Sequence, residues 1–295
     1  MDWKWVALAV AVTIAVYLLQ AYRWALLLRP LEPVGFWRCA RAVFIGLFSN
    51  EVLPGHAGEV LRCYLLSRWT ELPFSVALSS ALIERVFDGI WLAVCLLLTL
   101  RFVRLPRELR FLADGSWFLG VVVVGGVLLL YVAMTRRVRN GEHPVVPPSP
   151  GWRGHLAVLV RDLGLIGHSR YLYWSLLVSL PYLLLQVVPV WASFKGYGFD
   201  LDLTEAFALM VFLRLGSVLP QAPGNLGVFQ ILTREVLVLV FNVVGDQSAR
   251  FSLVLWGIVT LPLMIGGFVA LWIEEADLLQ LKRAAEKEAA ALRPE

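Results

Sequence analysis

Charge is what this chain has least of. Only 16% of its 295 residues are Asp, Glu, Lys or Arg, 59% are apolar, and the mean hydropathy is +0.73. Soluble globular chains average about 25% charged and about 45–50% apolar, so this composition argues against a soluble fold. Alternation over segments of about ten residues is also missing, which excludes a closed β-barrel. Cysteine is scarce: Cys39, Cys63 and Cys95 show no CxxC and no Cys/His spacing. Neither a disulfide framework nor a metal site is indicated, and the three read as small apolar residues. The four histidines form no HxxxH or HExxH pair, and no Ser-His-Asp order or Walker loop occurs. No catalytic residue, metal or cofactor is therefore assigned. The formal net charge of +4 comes with Arg residues placed mostly between hydrophobic runs, as cytoplasmic loops require. It lacks the interleaved aromatics of a nucleic-acid surface. The partners this leaves are the bilayer and a membrane lipid, with no nucleic acid.

What is present is a series of apolar runs, several with the ~20 residues that cross a hydrocarbon core. Trp3–Leu28 is the first. One acid and no basic segment precede it, so it reads as a retained span, with Trp3, Trp5, Tyr22 and Trp24 as interfacial aromatics. Phe36–Leu53 is stopped by Pro54-Gly55, and Val60–Trp69 is too short to cross alone. Phe74–Leu100 is a full span, and another covers 117–134. A basic, Pro-rich stretch and an amphipathic interfacial helix fill 136–170. Tyr171–Phe194 contains Pro181 and Pro189, which kink it. Ala206–Leu219 ends at a second break, Pro220-Gln-Ala-Pro223-Gly224; Leu226–Val244 resumes, and Phe251–Ile273 is the last span. Residues 274–295 read as a charged, solvated tail.

The two breaks are alike. Val52-Leu53-Pro54 with Gly58 is matched 166 residues later by Val218-Leu219-Pro220 with Gly224. Each half runs span, short helix, break, short helix, span. Paired discontinuous helices in inverted repeats place a substrate site at the repeat interface. Loose backbone at membrane depth is tolerated only against protein or a wet cavity. The expectation is an all-α polytopic protein of the cell (plasma or inner) membrane with about 6–8 hydrophobic helices. It forms one membrane domain, 1–273, with repeat halves at about 1–100 and 171–273. Pro54, Gly55, Gly58, Pro220, Pro223, Gly224 and Gly227 supply the broken backbone.

Charges inside such spans are costly, at least about 2.5 kcal/mol each at the centre on insertion scales. Glu84, Arg85 and Asp88 share one span, with Glu84 and Asp88 on one face. They serve as a buried latch, to Arg62 or Arg214, as a substrate contact, or as both. The short helices restart after the glycines, at Glu59 and Asn225, and aim free N–H groups and a positive dipole end into the site. Arg62 adds a charge that can grip phosphate through two nitrogens; Glu59 suits an amine, or simply pairs with Arg62 at i,i+3. Arg214 has no acid within a turn and takes its partner from elsewhere, a lipid phosphate or the Glu84/Asp88 face.

These motifs resemble the flippase-like membrane family found as the transmembrane region of lysylphosphatidylglycerol synthases. Asn50…Leu53-Pro54…Gly58-Glu59…Arg62 is similar to its N-x-x-L-P-x-x-x-G-E-x-x-R. Glu84-Arg85…Asp88 resembles its E-R-x-x-D, and Leu219-Pro220…Pro223-Gly224…Leu226-Gly227-Val228-Phe229 its P-x-x-P-G-x-x-G-x-F. His56 and Gln230 depart from the basic and acidic residues that members often carry there. The resemblance implies lipid translocation, with no synthase activity on this chain. The site it points to comprises Asn50, Glu59, Arg62, Glu84, Arg85, Asp88, Arg214 and Asn225. Two other readings stand beside it: an intramembrane enzyme or accessory subunit of envelope glycolipid synthesis, and a scaffold whose charges are latches. A homo-oligomer or a partner enzyme of lipid synthesis fits either of the first two.

Overall fold

Asp2 opens the first helix, its carboxylate accepting the Lys4 N–H at 3.0 Å, and α1 (Trp3–Leu28) follows. The computed structural model describes residues 1–53, 57–103, 120–121, 124–126, 128, 169–217, 223–275 and 278–291. The expectations placed on Pro54, Gly55, His56 and Pro220, on most of the 117–134 span and on the interfacial helix within 136–170 lie outside the described residues. All regular structure among those residues is helical.

A first hairpin of short helices follows α1. Helix α2 (Phe36–Val52) and helix α3 (Gly58–Trp69) have 17 and 12 residues, or about 25 and 18 Å at the standard rise. Neither reaches the ~30 Å of a hydrocarbon core. They pack backbone to backbone: a Cβ on Gly58 would lie 1.8 Å from the Gly46 carbonyl oxygen. Asn50 caps the restart, its Oδ1 accepting the Gly58 N–H at 2.8 Å. Helix α4 (Phe74–Phe102) then runs for 29 residues behind Pro73.

Helices α5 (Arg170–Leu185) and α6 (Val187–Tyr197) form one apolar path with a kink at Gln186. Pro189 has no N–H for the Leu185 carbonyl, which accounts for the break's position. The second hairpin comprises α7 (Leu203–Gly216), a turn at Pro223–Asn225 and α8 (Val228–Glu235), extended by a π-helical turn, Val236–Val240. Asn225 is not the helix start expected of it. Gly224, Asn225 and Gly227 have φ of +76°, +54° and +95°, a left-handed run that no α-helix contains, so helix resumes only at Val228. Helix α9 (Gly245–Ile273) closes the membrane part, and its Gly266 and Gly267 admit Phe44 and Phe48 of α2. Small residues at such contacts let membrane helices approach closely.

Helix α1 packs against α2, α4, α5, α6 and α9 and is the axis of the assembly. One core cluster joins α1–α4 through Trp24, Val43, Cys63, Leu66 and Ala77; another joins α6, α7 and α9 through Phe194, Leu209, Phe251 and Leu255. All three cysteines are buried and free, as expected of small apolar residues. Among the described residues, α1, α5–α6 and α9 have both the length and the apolar composition to cross a membrane. Helix α4 has the length, and of its charges Glu84 is buried and Asp88 partly so.

Two expectations change. Trp3 and Tyr22 are exposed as interfacial aromatics would be, but Trp5 packs edge-on against Trp191, and Trp24 is fully buried. The Trp24 Nε1–H donates to Ser80 Oγ at 2.9 Å beneath the Arg62 guanidinium, a polar setting inside the protein. The tail is not solvated throughout either. Helix α10 (Leu278–Ala291) buries Leu281 and Ala285, one turn apart, against Ile45, Leu61, Leu65 and Leu271.

Gly58→Ala is expected to destabilise the protein by at least about 2 kcal/mol, because the new methyl meets backbone that cannot yield. Gly89→Ala, where nothing lies within 4 Å of the added carbon, should leave stability within about 0.5 kcal/mol. Thermal unfolding of the two variants in detergent makes the comparison.

Candidate functional site

The charges of α3 and α4 close into a ring with one from α1. Arg23, fully buried, donates from Nε to Glu84 Oε1 at 3.1 Å and from Nη1 and Nη2 to Asp88. Glu84 Oε2 lies 2.8 Å from Arg62 Nη2, which lies 2.6 Å from Glu59 Oε2. Arg85 donates to Glu59 and reaches Asp88 at 3.8 Å, which completes the circuit. Three guanidiniums and three carboxylates alternate, so the ring is neutral. Neighbouring opposite charges offset much of the desolvation that each would otherwise suffer. Arg62 is paired by proximity more than by alignment: its Nε and Nη1 have no hydrogen-bond acceptor among the described residues. The Trp24 ring, 4.7 Å from its guanidinium carbon, supplies a π face instead.

The ring has a dry side and a wet side. Arg23, Arg62 and Glu84 are sealed in the interior, whereas Glu59 and Arg85 line a cavity of about 520 Å³. Residues from α1 to α9 contribute to its wall. Its other polar groups include Thr13, Tyr17 and Gln20 of α1, Asn50 and Glu51 of α2, Tyr182 and Gln186 at the kink, Arg214 of α7, Ser217 just past it, and Asn225. Arg214 donates from Nε and Nη2 to Gln186 Oε1, and from Nη2 to Tyr182 at 3.2 Å. It has no carboxylate partner among the described residues. Tyr182 is shared, for Arg23 sits over the same ring at 4.5 Å and Arg214 at 5.8 Å.

The two breaks touch here. Asn225 Nδ2 donates to Glu51 Oε1 at 2.6 Å, linking the turn of the second hairpin to the last turn of α2. Trp256 of α9 steadies the same turn, its Nε1–H donating to the Gly224 carbonyl at 2.7 Å. The other oxygen of Glu51, Oε2, is buried without a partner among the described residues.

The candidate residues therefore fall into two sets. Glu59, Arg62, Glu84, Arg85 and Asp88 form the ring; Asn50, Glu59, Arg85, Arg214 and Asn225 face the cavity. The Glu84/Asp88 face is held by Arg23 and Arg62, not by Arg214. Sequence reasoning missed Arg23, Glu51, Tyr17, Tyr182 and Gln186. Arg23 was detectable from charge balance. Arg62 and Arg85 leave one of Glu59, Glu84 and Asp88 uncompensated, and Arg23 is the cation embedded in a neighbouring apolar run.

Broken helices, a buried ionic ring and a polar cavity within apolar spans together define a polytopic α-helical membrane protein with an internal charged site. The chain belongs to the family of the lysylphosphatidylglycerol synthase TM region, whose model matches residues 1–267. It is similar to a UPF0104 membrane protein of Methanothermobacter thermautotrophicus, 26% identical over 86% of this chain and 78% of the relative. It is also similar to glycosyltransferase AglD of Haloferax volcanii, 26% identical over 77% of this chain but 42% of that protein. No solved structure matches.

Removing Arg23 leaves Glu84 and Asp88 short of a cation inside the protein. Arg23→Met should cost about 3–5 kcal/mol and reduce the folded, monodisperse fraction on size-exclusion chromatography. Adding Asp88→Asn restores neutrality and should recover part of that loss.

Proposed function

We propose that this protein translocates an amphiphilic lipid with a phosphate-bearing headgroup across the membrane, through the cavity between its two halves. One observation carries the reading: Arg214, a cavity-facing cation held by two neutral side chains, with no carboxylate among the described residues to neutralise it. A guanidinium oriented by Gln186 and Tyr182 keeps donors free for a planar or tetrahedral oxyanion. Arg85 offers a second cation, tied on one side to Glu59 and half exposed. A volume of about 520 Å³ is within the usual range of small-molecule sites, about 300–1,000 Å³. Such a volume suits a headgroup, with the acyl chains left between helices. The remaining site candidates then divide by role. Arg62, Glu84 and Asp88 are the latch behind the site, Asn50 caps the first break, and Asn225 joins the breaks.

The inverted-repeat architecture and the cell-membrane setting belong to the same proposal. Two halves that meet at their broken tips are the arrangement in which rocking of one half against the other exposes a fixed site to each side in turn. No nucleotide motif occurs in the sequence, which points to movement driven by a gradient or by the lipid's own distribution.

The likeness to AglD, a protein named as a glycosyltransferase, favours one second reading, in which the membrane unit serves glycolipid synthesis as an accessory part that holds a lipid phosphate. The two readings part on product. Purified protein in liposomes with a headgroup-labelled anionic phospholipid should move label between leaflets and return the lipid chemically unchanged by mass spectrometry. Arg214→Gln should slow that movement at least about tenfold, the usual scale for losing one charge-assisted contact, at unchanged folded yield. Equal rates for the two proteins would remove Arg214 from the site, and a modified lipid would favour the synthetic reading.

A further inference from the structure

Glu51 is buried to nine-tenths at the end of α2, with Asn225 on one oxygen and no partner among the described residues on the other. Unlike the six ring charges, it touches no cation among the described residues. The charged groups that share its cavity are Glu59 of α3, Arg85 of α4 and Arg214 of α7, with Tyr17 of α1 and Tyr182 of α5 as the titratable hydroxyls. Tyr17 lines the same cavity as Glu51 and Arg214. The walls from α8 and α9 are apolar here, with Phe229, Leu232, Leu255 and Val259. Neither basic group of the described cavity wall bonds Glu51: Arg85 is paired with Glu59, and Arg214 is turned to Gln186 and Tyr182.

An unpaired carboxylate in that position is expensive; a carboxylic acid is not. The acid form still accepts the Asn225 N–H, so the contact between the two hairpin tips survives protonation. Ionisation strengthens the Asn225 bond, but burying the charge costs more than that bond returns, so the ionised form favours an arrangement in which the tips part and Glu51 is hydrated. A metal cation fits less well, because the amide N–H of Asn225 occupies one oxygen of Glu51, the only carboxylate at the tip contact among the described residues.

We propose that Glu51 is a proton-binding site that couples the two broken-helix tips: protonated, it holds them together across the cavity, and deprotonated, it lets them part. On the transport reading above, on which this second clause rests, one proton then accompanies each closure, and a proton gradient supplies the drive. The bonds involved are few. The proton adds to Glu51 Oε2, the Glu51–Asn225 hydrogen bond forms or breaks, and nothing else is consumed.

The test is hydrogen exchange of the intact protein in lipid nanodiscs, read by mass spectrometry over the segments 47–53 and 223–230. After correction for intrinsic exchange rates, wild-type protein should lose about tenfold protection in both segments as pH rises. Glu51→Gln, a permanent mimic of the acid, should stay protected throughout. Asn225→Ala should stay unprotected throughout, and Glu51→Asp should restore a pH step. If Glu51→Gln fails to fold, the Asn225→Ala and Glu51→Asp profiles decide the matter on their own. A flat wild-type profile, a step that persists in Glu51→Gln or Asn225→Ala, or a step that appears only with sodium ions present would overturn the proposal. Lipid movement is measured in parallel with and without a pH gradient. A pH step in exchange without any lipid movement would refute the transport reading while leaving the proton switch standing.

Discussion

Everything in this molecule is arranged around six charges that could not be buried singly. Arg23, Glu84, Arg62, Glu59, Arg85 and Asp88 alternate in sign around a closed circuit that three helices must build together. Each helix supplies an incomplete set: α1 one cation, α3 an i,i+3 pair, α4 two acids and a cation. None of these is at home in lipid without the others. The ring thus specifies how α1, α3 and α4 meet more sharply than apolar contacts can, since leucines slide past one another at little cost and paired guanidiniums do not. It also explains why α3, too short to cross a bilayer, is carried inside the protein by its partners.

The second constraint is the unpaired backbone at the two breaks. Water is the ordinary remedy for free N–H and C=O groups, and a membrane interior withholds it. Here the remedy is internal. Asn50 caps the Gly58 restart, Gln230 Oε1 accepts the Gly227 N–H at 2.7 Å, and Trp256 takes the Gly224 carbonyl. Gly46 and Gly58 remove the side chains that would hold α2 and α3 apart. The polar groups brought in to serve the backbone are then the same ones that make the cavity polar. Structural repair and site formation are one event.

Much of this was legible in the sequence. Apolar run lengths showed a helical membrane protein, and among the described residues Gly58, Pro223 and Gly224 lie where the two hairpins turn. Glu84, Arg85 and Asp88 announced a buried cluster, because no other setting tolerates them. The partners were harder to read. Arg23 sits beside Tyr22 and Trp24 near the end of an apolar run, the usual signature of an interfacial anchor; charge balance asks for a third cation, and the fold shows that Arg23 is it. Glu51 was hidden by its neighbours, since a lone acid beside Asn50 near a break looks like a loop residue until the second tip is placed against it. Gln186 and Tyr182 gain their roles from a proline kink and from a helix 28 residues away at Arg214, a pairing that no local pattern encodes. Asn225 misled in another way: its place after Gly224 suggested a helix start, whereas its own left-handed backbone delays the helix to Val228.

The neutrality of the ring has an electrical consequence. A membrane protein that changes shape under a transmembrane voltage does work in proportion to the net charge that it carries through the field, about 2.3 kcal/mol per unit charge for every 100 mV. Three guanidiniums moving together with three carboxylates carry none. A rocking motion that carries the ring as one body therefore moves no net charge of the ring through the field. Voltage acts instead on charges outside the ring, Arg214 and Glu51 of the cavity wall among them.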